Sequence, residues 1–599
     1  MHDDQQLTRR KMLRNLAAAG LGTTTAVLIA PPALADASHP PIAQQLKITG
    51  SARTKGGLEV RYGFQDPDGD TEGATRFRWL TGPTEDGPWT PLTGVLTRNI
   101  GIPLSYGGQY LRAEVTPVDE TGMTGRSRLS PPVLVNTVEG NPGTDWLHNA
   151  RYGVSHHFLS NYLNRVAASP EEKWQDGESW DDLLKTFDVN AYADDMEKAG
   201  AGFAILTLGQ NSGYMLAPNH AYERIAGLQP GERTPAGRDL PMEIADELAK
   251  RGIKLVLYIP ANPPHTAHKQ PGDYAITKAF GYTPGTDGVP SQDTMAKWQS
   301  VIREYSERYG TKLAGWWVDG VFPGLQPAYQ DMTKPYNWSS LAAALKAGNP
   351  DRIITLNSGL GARNHQPTSV YDDYTPGETG SIGAMPSSGR WADAEQSTQW
   401  FDFTYLGAND PGWAGWGNKG TSQDTTSLVR WVKAATDQGA AICLDTRVNR
   451  YGRLDPAQLA QLEQVRKVVH EGTPVPEPEG GLYNDTDFLI TYVGSWAGSS
   501  GRPGDLNGDV HYTRTDGDSA EFTFSGSGIE YITERNNDMG QVDVYLDGTL
   551  KGTVDCYSAT KQTQQVLFKA NGLTAGRHTI RVVKKSGTYM LVDAFRVTG

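Results

Sequence analysis

Residues 295–320 read MAKWQSVIREYSERYGTKLAGWWVDG. Met295 to Tyr309 is amphipathic at helical spacing, and Gly310 stands where a helix C-cap is expected. Leu313 to Val318 is a short apolar run of strand character. Asp319 closes that run directly behind Trp316 and Trp317, and Gly320 lets the backbone turn away. The same alternation extends in both directions. Apolar β-rich runs occur at Tyr152–Ser155, Phe203–Leu208, Leu255–Ile259, Ile353–Leu356, Ser369–Tyr371 and Ala440–Leu444, with a weaker one near Phe401–Leu406. Amphipathic stretches such as Met242–Lys250 lie between them, and Gly200, Gly252, Gly348 and Gly439 repeat the C-cap signal. About eight strands alternating with helices are the signature of a (β/α)8 barrel. The alternative is a doubly wound sheet, which calls for a Gly-rich phosphate loop after its first strand. Gly153-Val154-Ser155-His156-His157 is no such loop.

The flanking sequence has another texture. From Pro41 to Val135 short strands alternate with turns, as in Leu58–Tyr62 and Tyr110–Val115, the pattern of a β-sandwich. Thr473-Pro474-Val475-Pro476-Glu477-Pro478-Glu479-Gly480 reads as a stiff linker. Beyond it strands return, with an Asp-Gly hairpin signal at Asp547-Gly548. The expected fold class is multidomain: a central (β/α)8 TIM-like barrel flanked by N-terminal and C-terminal β-sandwich domains. The boundaries are 41–137 for the first sandwich, 146–472 for the barrel, 473–480 for the linker and 481–599 for the second sandwich.

Residues 1–37 carry a targeting signal. Arg9-Arg10 precedes a weakly apolar stretch from Leu16 to Ala30, followed by cleavage candidates at Ala33-Leu34-Ala35 and Ala35-Asp36-Ala37. This is the layout of a twin-arginine export signal, so the expected location is secreted or extracytoplasmic. The stretch falls short of a spanning helix, and no later segment is long and apolar enough, so no membrane span is expected. The 599 residues carry a net charge of −13 with 21% charged residues, which speaks against a nucleic-acid partner. Fifteen Trp, 26 Tyr and 14 Phe supply the apolar surface of a folded chain. Two cysteines, Cys443 and Cys556, exclude a disulfide framework and a Cys-based zinc site. Asp66-Pro67-Asp68-Gly69-Asp70 has the carboxylate spacing of a calcium loop, but its twelfth position is Phe77 rather than a bidentate Glu. It reads as an acidic turn.

Catalytic residues of a barrel sit at the C-terminal ends of its strands. Asp319 ends the expected fourth strand, and Asp372, Asp373 and Glu378 lie at or beyond the sixth. Paired carboxylates are what glycoside hydrolysis requires. Trp391, Trp400, Trp413 and Trp416 crowd a Gly- and Pro-rich stretch, and tryptophan faces suit sugar rings. His156 and His157 are adjacent strand residues, so at most one faces the interior. No G-x-S-x-G elbow, H-E-x-x-H, phosphate loop or C-x-x-C is present.

With these residues the barrel resembles glycoside hydrolase family 29, the retaining α-L-fucosidases. Arg151–His157 looks like the family's K-F-G-I-F-I-H opening, Gly237-Arg238-Asp239-Leu240 matches its G-R-D-L segment, and Trp317-Val318-Asp319-Gly320 is similar to W-F-D-G. Thr375-Pro376-Gly377-Glu378 is similar to its T-P-E segment with a glycine inserted. The resemblance implies Asp319 as nucleophile, Glu378 as acid/base and His157 as a sugar ligand. Asp372 and Asp373 are the alternatives for the acid/base, or neighbours that raise the pKa of Glu378. Gln210 and Asn211 replace the family's two fucose-binding histidines, and Asn357 stands where an Asn precedes a substrate-binding Arg that only Arg363 could supply. Tyr258, Trp317, Asp373 and Trp413 complete the expected substrate contacts. The resemblance implies no cofactor and no metal. The expected function is an exo-acting retaining glycosidase with a carbohydrate substrate. The alternatives are action on another sugar, an inverting hydrolase, or a non-catalytic glycan-binding protein on a degenerate barrel. The C-terminal sandwich loosely resembles carbohydrate-binding modules, and the N-terminal one immunoglobulin-type accessory domains.

Overall fold

The computed structural model describes residues 38–264, 273–282, 288–360, 364–387, 389–410, 413–476, 481–574 and 576–599. The expected targeting signal, Arg363 and the last four linker residues lie outside the described residues. Seven parallel strands form the central sheet: β1 (Tyr152–His156), β2 (Phe203–Thr207), β3 (Lys254–Pro260), β4 (Leu313–Asp319), β5 (Ile353–Leu356), β6 (Phe401–Tyr405) and β7 (Ala441–Asp445). Their order is β5-β4-β3-β2-β1-β7-β6, so the first and last strands in sequence are neighbours and the sheet curls. Helices α1 (Val189–Lys198), α2 (Leu240–Ala249), α3 (Gln292–Tyr309), α4 (Trp338–Leu345), α5 (Thr425–Asp437) and α6 (Pro456–Val469) follow six of the strands. Among the described residues no helix lies between β5 and β6.

Local chemistry sets these boundaries. Asp188, Asp239, Ser291, Asp424 and Asp455 cap helix N-termini by accepting backbone N–H bonds. Capped by Ser291, α3 starts at Gln292, three residues before the amphipathic pattern becomes visible. Gly310 ends it with φ +49, and Gly200, Gly252, Gly348 and Gly439 all take positive φ. Consecutive tryptophans on β4 face opposite ways. Trp316 packs among the residues between sheet and helices, whereas Trp317 joins Ile205, Val256, Tyr258, Tyr374 and Phe403 in the inner cluster.

The expected strand at Ser369–Tyr371 is absent; those residues form a turn. The reason is visible at the edge of β5. Ile354 N–H donates to Asp373 Oδ2 (3.0 Å) and Leu356 N–H to Asp372 Oδ1 (2.6 Å), so carboxylates occupy positions that a strand's carbonyls would take. Further along, the chain does bridge the two edges. Asp373 N–H donates to Ile354 O (2.8 Å), Gln399 N–H to Asp373 O (3.0 Å) and Phe403 N–H to Gly377 O (2.8 Å). Residues 373–379 thus join β5 to β6 without regular strand geometry.

Asp373 is buried and paired with Lys346 Nζ at 2.9 Å. Asn141 Nδ2 also donates to it (2.9 Å), which ties the segment before β1 to the same carboxylate. Removing one partner of a buried pair strands the other charge, at ~3–5 kcal/mol. Lys346→Met is therefore expected to lower the denaturation midpoint of the full chain strongly. An unchanged midpoint would show that the pair does not hold this edge.

The N-terminal strands form two facing sheets around Leu58, Val60, Trp79, Leu111 and Val115. This unit sits against the central domain: Lys55 Nζ donates to Asp372 O (2.9 Å) and Asn99 Nδ2 to Ala343 O (2.7 Å). The C-terminal region is likewise antiparallel, cored by Phe522, Tyr531, Val544, Val582 and Phe595. A buried ion pair, Arg430–Asp487 (2.9 Å), with Arg430 also over the Tyr483 ring, joins it to α5. The Pro-rich linker therefore leads to a docked unit rather than a freely tethered one. Cys443 and Cys556 are free and buried. No helix among the described residues is long and apolar enough to cross a membrane.

Candidate active site

Asp319 is the last residue of β4, and its carboxylate is held by side chains from two neighbouring strands. Tyr258 on β3 donates its hydroxyl proton to Oδ2, and Asn357 Nδ2, just beyond β5, donates to Oδ1 (2.9 Å). The same Asn357 nitrogen also donates to Glu378 Oε2 (2.7 Å). One amide thus bridges two of the four carboxylates that the strand-end rule had singled out.

Glu378 reaches this position through a turn that only glycine suits. Gly377 has φ +66, and a Cβ there would lie 2.2 Å from Phe401 O. Asn364 clamps the turn, its carbonyl accepting from Gly377 N–H (2.8 Å) and its amide donating to Glu378 O. The inserted glycine therefore turns Glu378 towards Asp319 rather than away from it. Burial, followed by the nearby Asp319 charge, pushes the Glu378 carboxyl up to about 7, against the Asn357 hydrogen bond and His157, which lower it. Neither Asp372 nor Asp373 causes this shift, contrary to expectation.

His157 faces the same space. Its Nδ1 bonds Asp445 Oδ1 (2.8 Å), and Asp445, fully buried at the end of β7, also accepts from Ser155 Oγ (2.6 Å) and Gly417 N–H (2.6 Å). Burial opposes a charge on His157, but Asp445 outweighs it and raises the imidazole above its usual range. The ring lies 5.8 Å from Tyr258 and 5.5 Å from Trp416. His156 points the other way, buried against Tyr192.

A cleft opens over Asp319, lined by Gln210, Asn211, Pro260, Asn262, Gly320 and Phe322. Gln210 Nε2 donates to the Tyr258 hydroxyl (2.5 Å), so it contacts the residue that holds Asp319. Burial and Asp319 together keep Tyr258 protonated, its pKa far above the usual phenol value.

Of the ten residues singled out in the sequence, Asp319, Glu378, His157, Gln210, Asn211, Tyr258 and Asn357 gather here. Of the other three, two are buried away from the cleft and one stands at its rim. Trp317 is 1% exposed, stacks on Tyr258 (5.2 Å, 14°) and donates Nε1–H to Pro376 O (2.9 Å), so it braces both sides of the site instead of lining it. Asp373, like Asp372, is buried and consumed by the β5 edge, which removes both from the acid/base role on geometric grounds. Trp413 is 54% exposed at the rim, under Arg165 and edge-on to Tyr162. Two further tryptophans leave the cleft: Trp400 is buried against His365 (4.4 Å), and Trp391 packs over Gly140. Asp445, Asn364 and Asn262 escaped the sequence reading. Asp445 carried the same strand-end signal as Asp319, whereas Asn364 and Asn262 carried none.

No family model matches the chain. Two proteins of Flavonifractor plautii are similar to parts of it. An A type blood N-acetyl-alpha-D-galactosamine deacetylase is 37% identical over 108 residues, 18% of this chain and 14% of that protein. An A type blood alpha-D-galactosamine galactosaminidase is 35% identical over 126 residues, 20% of this chain and 12% of that protein. The chain thus spans only a small part of the length of the curated relatives it matches. Among solved structures, an alpha-L-fucosidase from Vibrio sp. strain EJY3 aligns over 77% of this chain and 98% of its own, with a TM-score of 0.42 and 10% identity.

Proposed function

We propose that the chain is an exo-acting retaining glycosidase, with Asp319 as nucleophile and Glu378 as general acid/base on a (β/α)8-type scaffold. The observation that carries this is the Asn357 bridge. Two carboxylate oxygens bonded to one nitrogen at 2.9 and 2.7 Å can be no farther apart than those two bonds end to end. That favours the short separation of retaining enzymes, ~5–5.5 Å, over the ~6.5–9.5 Å that leaves room for an inverting water.

Asp319 attacks the anomeric carbon and forms a glycosyl-enzyme as Glu378 protonates the departing oxygen. Glu378 then deprotonates the water that releases the sugar with retained configuration. Tyr258 and Asn357 aim the Asp319 oxygens, and His157, held by Asp445, offers its remaining ring nitrogen to a sugar hydroxyl. Gln210 and Asn211 both donate and accept, so the hydroxyls they meet set the sugar, with fucose as one candidate and other sugars as the alternative. Export through the twin-arginine signal and glycan binding by the C-terminal region belong to the same reading.

The test is a panel of aryl glycosides, α-L-fucoside included, with the first-formed anomer read by NMR. Turnover with retention supports the reading. No turnover on any member, or inversion, overturns it. The acid must be protonated in the free enzyme, and its pKa lies near 7. Accordingly kcat/KM should fall about tenfold per pH unit above that value. A rate that stays flat to pH 9 would mean that Glu378 is not the acid.

A further inference from the structure

We propose that the N-terminal sandwich holds a calcium ion between Asp66, Asp70 and Asp119. The first two belong to the acidic turn between the strands Gly57–Gln65 and Arg76–Gly82, and the third comes from a separate turn about fifty residues later in the chain. Ligand oxygens of the three carboxylates lie within 4.8 Å of one another. A calcium shell spans such a cluster, because its oxygens sit at ~2.3–2.6 Å on opposite sides of the ion.

A second observation separates this cluster from ordinary surface acids. Asp119 is only 2% exposed. Its Oδ1 accepts from Thr121 N–H (2.9 Å), Thr121 Oγ1 (2.6 Å) and Met123 N–H (2.9 Å), while its buried Oδ2 has no hydrogen-bond partner. Asp66 repeats the pattern: Oδ1 accepts from Asp68 N–H (2.8 Å) and Asp70 N–H (3.3 Å), and Oδ2 is buried without a partner. Among the described residues no Lys, Arg or His makes an ion pair with any of the three. Two orphaned buried oxygens beside a third carboxylate, with no protein cation, form an arrangement that a bound cation completes. All-oxygen donors select a hard cation, and irregular loop geometry favours calcium over magnesium, which demands a tight octahedron. The ion would pin the turn 66–72 to the turn 119–122, where Glu120 N–H already donates to Thr71 O (2.8 Å).

The test uses the full chain after chelation and dialysis. Added CaCl2 should raise the unfolding midpoint by several degrees, and equilibrium dialysis with radioactive calcium should count bound ions. Asp119→Asn keeps the shape that accepts from Thr121 and Met123 but removes the charge, and it should lose one equivalent of calcium together with the thermal shift. Asp70→Asn, whose carboxylate takes no hydrogen bond among the described residues, should lose the same equivalent even if the first variant folds poorly. The proposal is overturned if the chelated protein shows no response to calcium, or if both variants keep the full response. It is equally overturned if magnesium at the same concentration gives the same shift and competes calcium off.

Discussion

Asp319→Asn is expected to lower kcat/KM by on the order of 10⁴-fold or more, because it deletes the attacking charge at nearly constant volume. The fold around it should tolerate the change. Asn357 Nδ2 still has an oxygen to donate to, and the Tyr258 hydroxyl can rotate to accept from the new amide. Sugar binding and the thermal midpoint should therefore stay close to those of the parent. Asp319→Gly opens a space for a small anion, and azide should restore turnover there with a glycosyl azide of inverted configuration. Parent-like turnover in Asp319→Asn would end the nucleophile assignment. Rescue with retained configuration would point to a different residue.

The second large effect separates Glu378 from its neighbours. A nitrophenolate leaves without a proton, whereas a sugar alcohol does not. Glu378→Ala should then slow cleavage of a natural glycoside by about 10²–10⁴-fold, with a much smaller cost for bond breaking in an activated aryl substrate. Deglycosylation still lacks its base, so azide should intercept the glycosyl-enzyme and raise turnover with retained configuration. Asp372→Ala and Asp373→Ala should behave differently. Both strip acceptors from buried backbone donors on β5, so they should lower stability and show no azide rescue. Azide rescue of either one, and not of Glu378→Ala, would move the acid/base to that residue.

These expectations depend on the turn at Gly377. Read as an insertion in the T-P-E segment, it suggests displacement of the carboxylate. In the folded chain its positive φ, the Phe401 carbonyl close to where a Cβ would sit, and the Asn364 clamp bring Glu378 to Asn357. A conformation of one residue and a contact across the chain jointly produce that result, and neither is written in the local residue order.

The amino-acid sequence by itself determined whatever depends on short-range periodicity. The alternation of apolar runs and amphipathic stretches set the parallel strands and their helices, the glycines at 200, 252, 310, 348 and 439 ended those helices, and strand polarity put Asp319 at the reactive end of its strand. Tertiary structure alone decided how side chains distant in sequence share charge and hydrogen bonds. Asp372 and Asp373 look like catalytic acids in sequence, yet the open edge of β5 claims them. Trp317 looks like a sugar platform, yet the interior claims it as the support of Tyr258. Asp445 orients His157 from 288 positions away, Asn357 spans two carboxylates, and Asp119 joins Asp66 and Asp70 of the acidic turn while Asp68 bonds His39 instead. Periodicity records which face a residue takes, whereas the partner it meets depends on how strands and loops close in space, and a carboxylate's role follows from that partner.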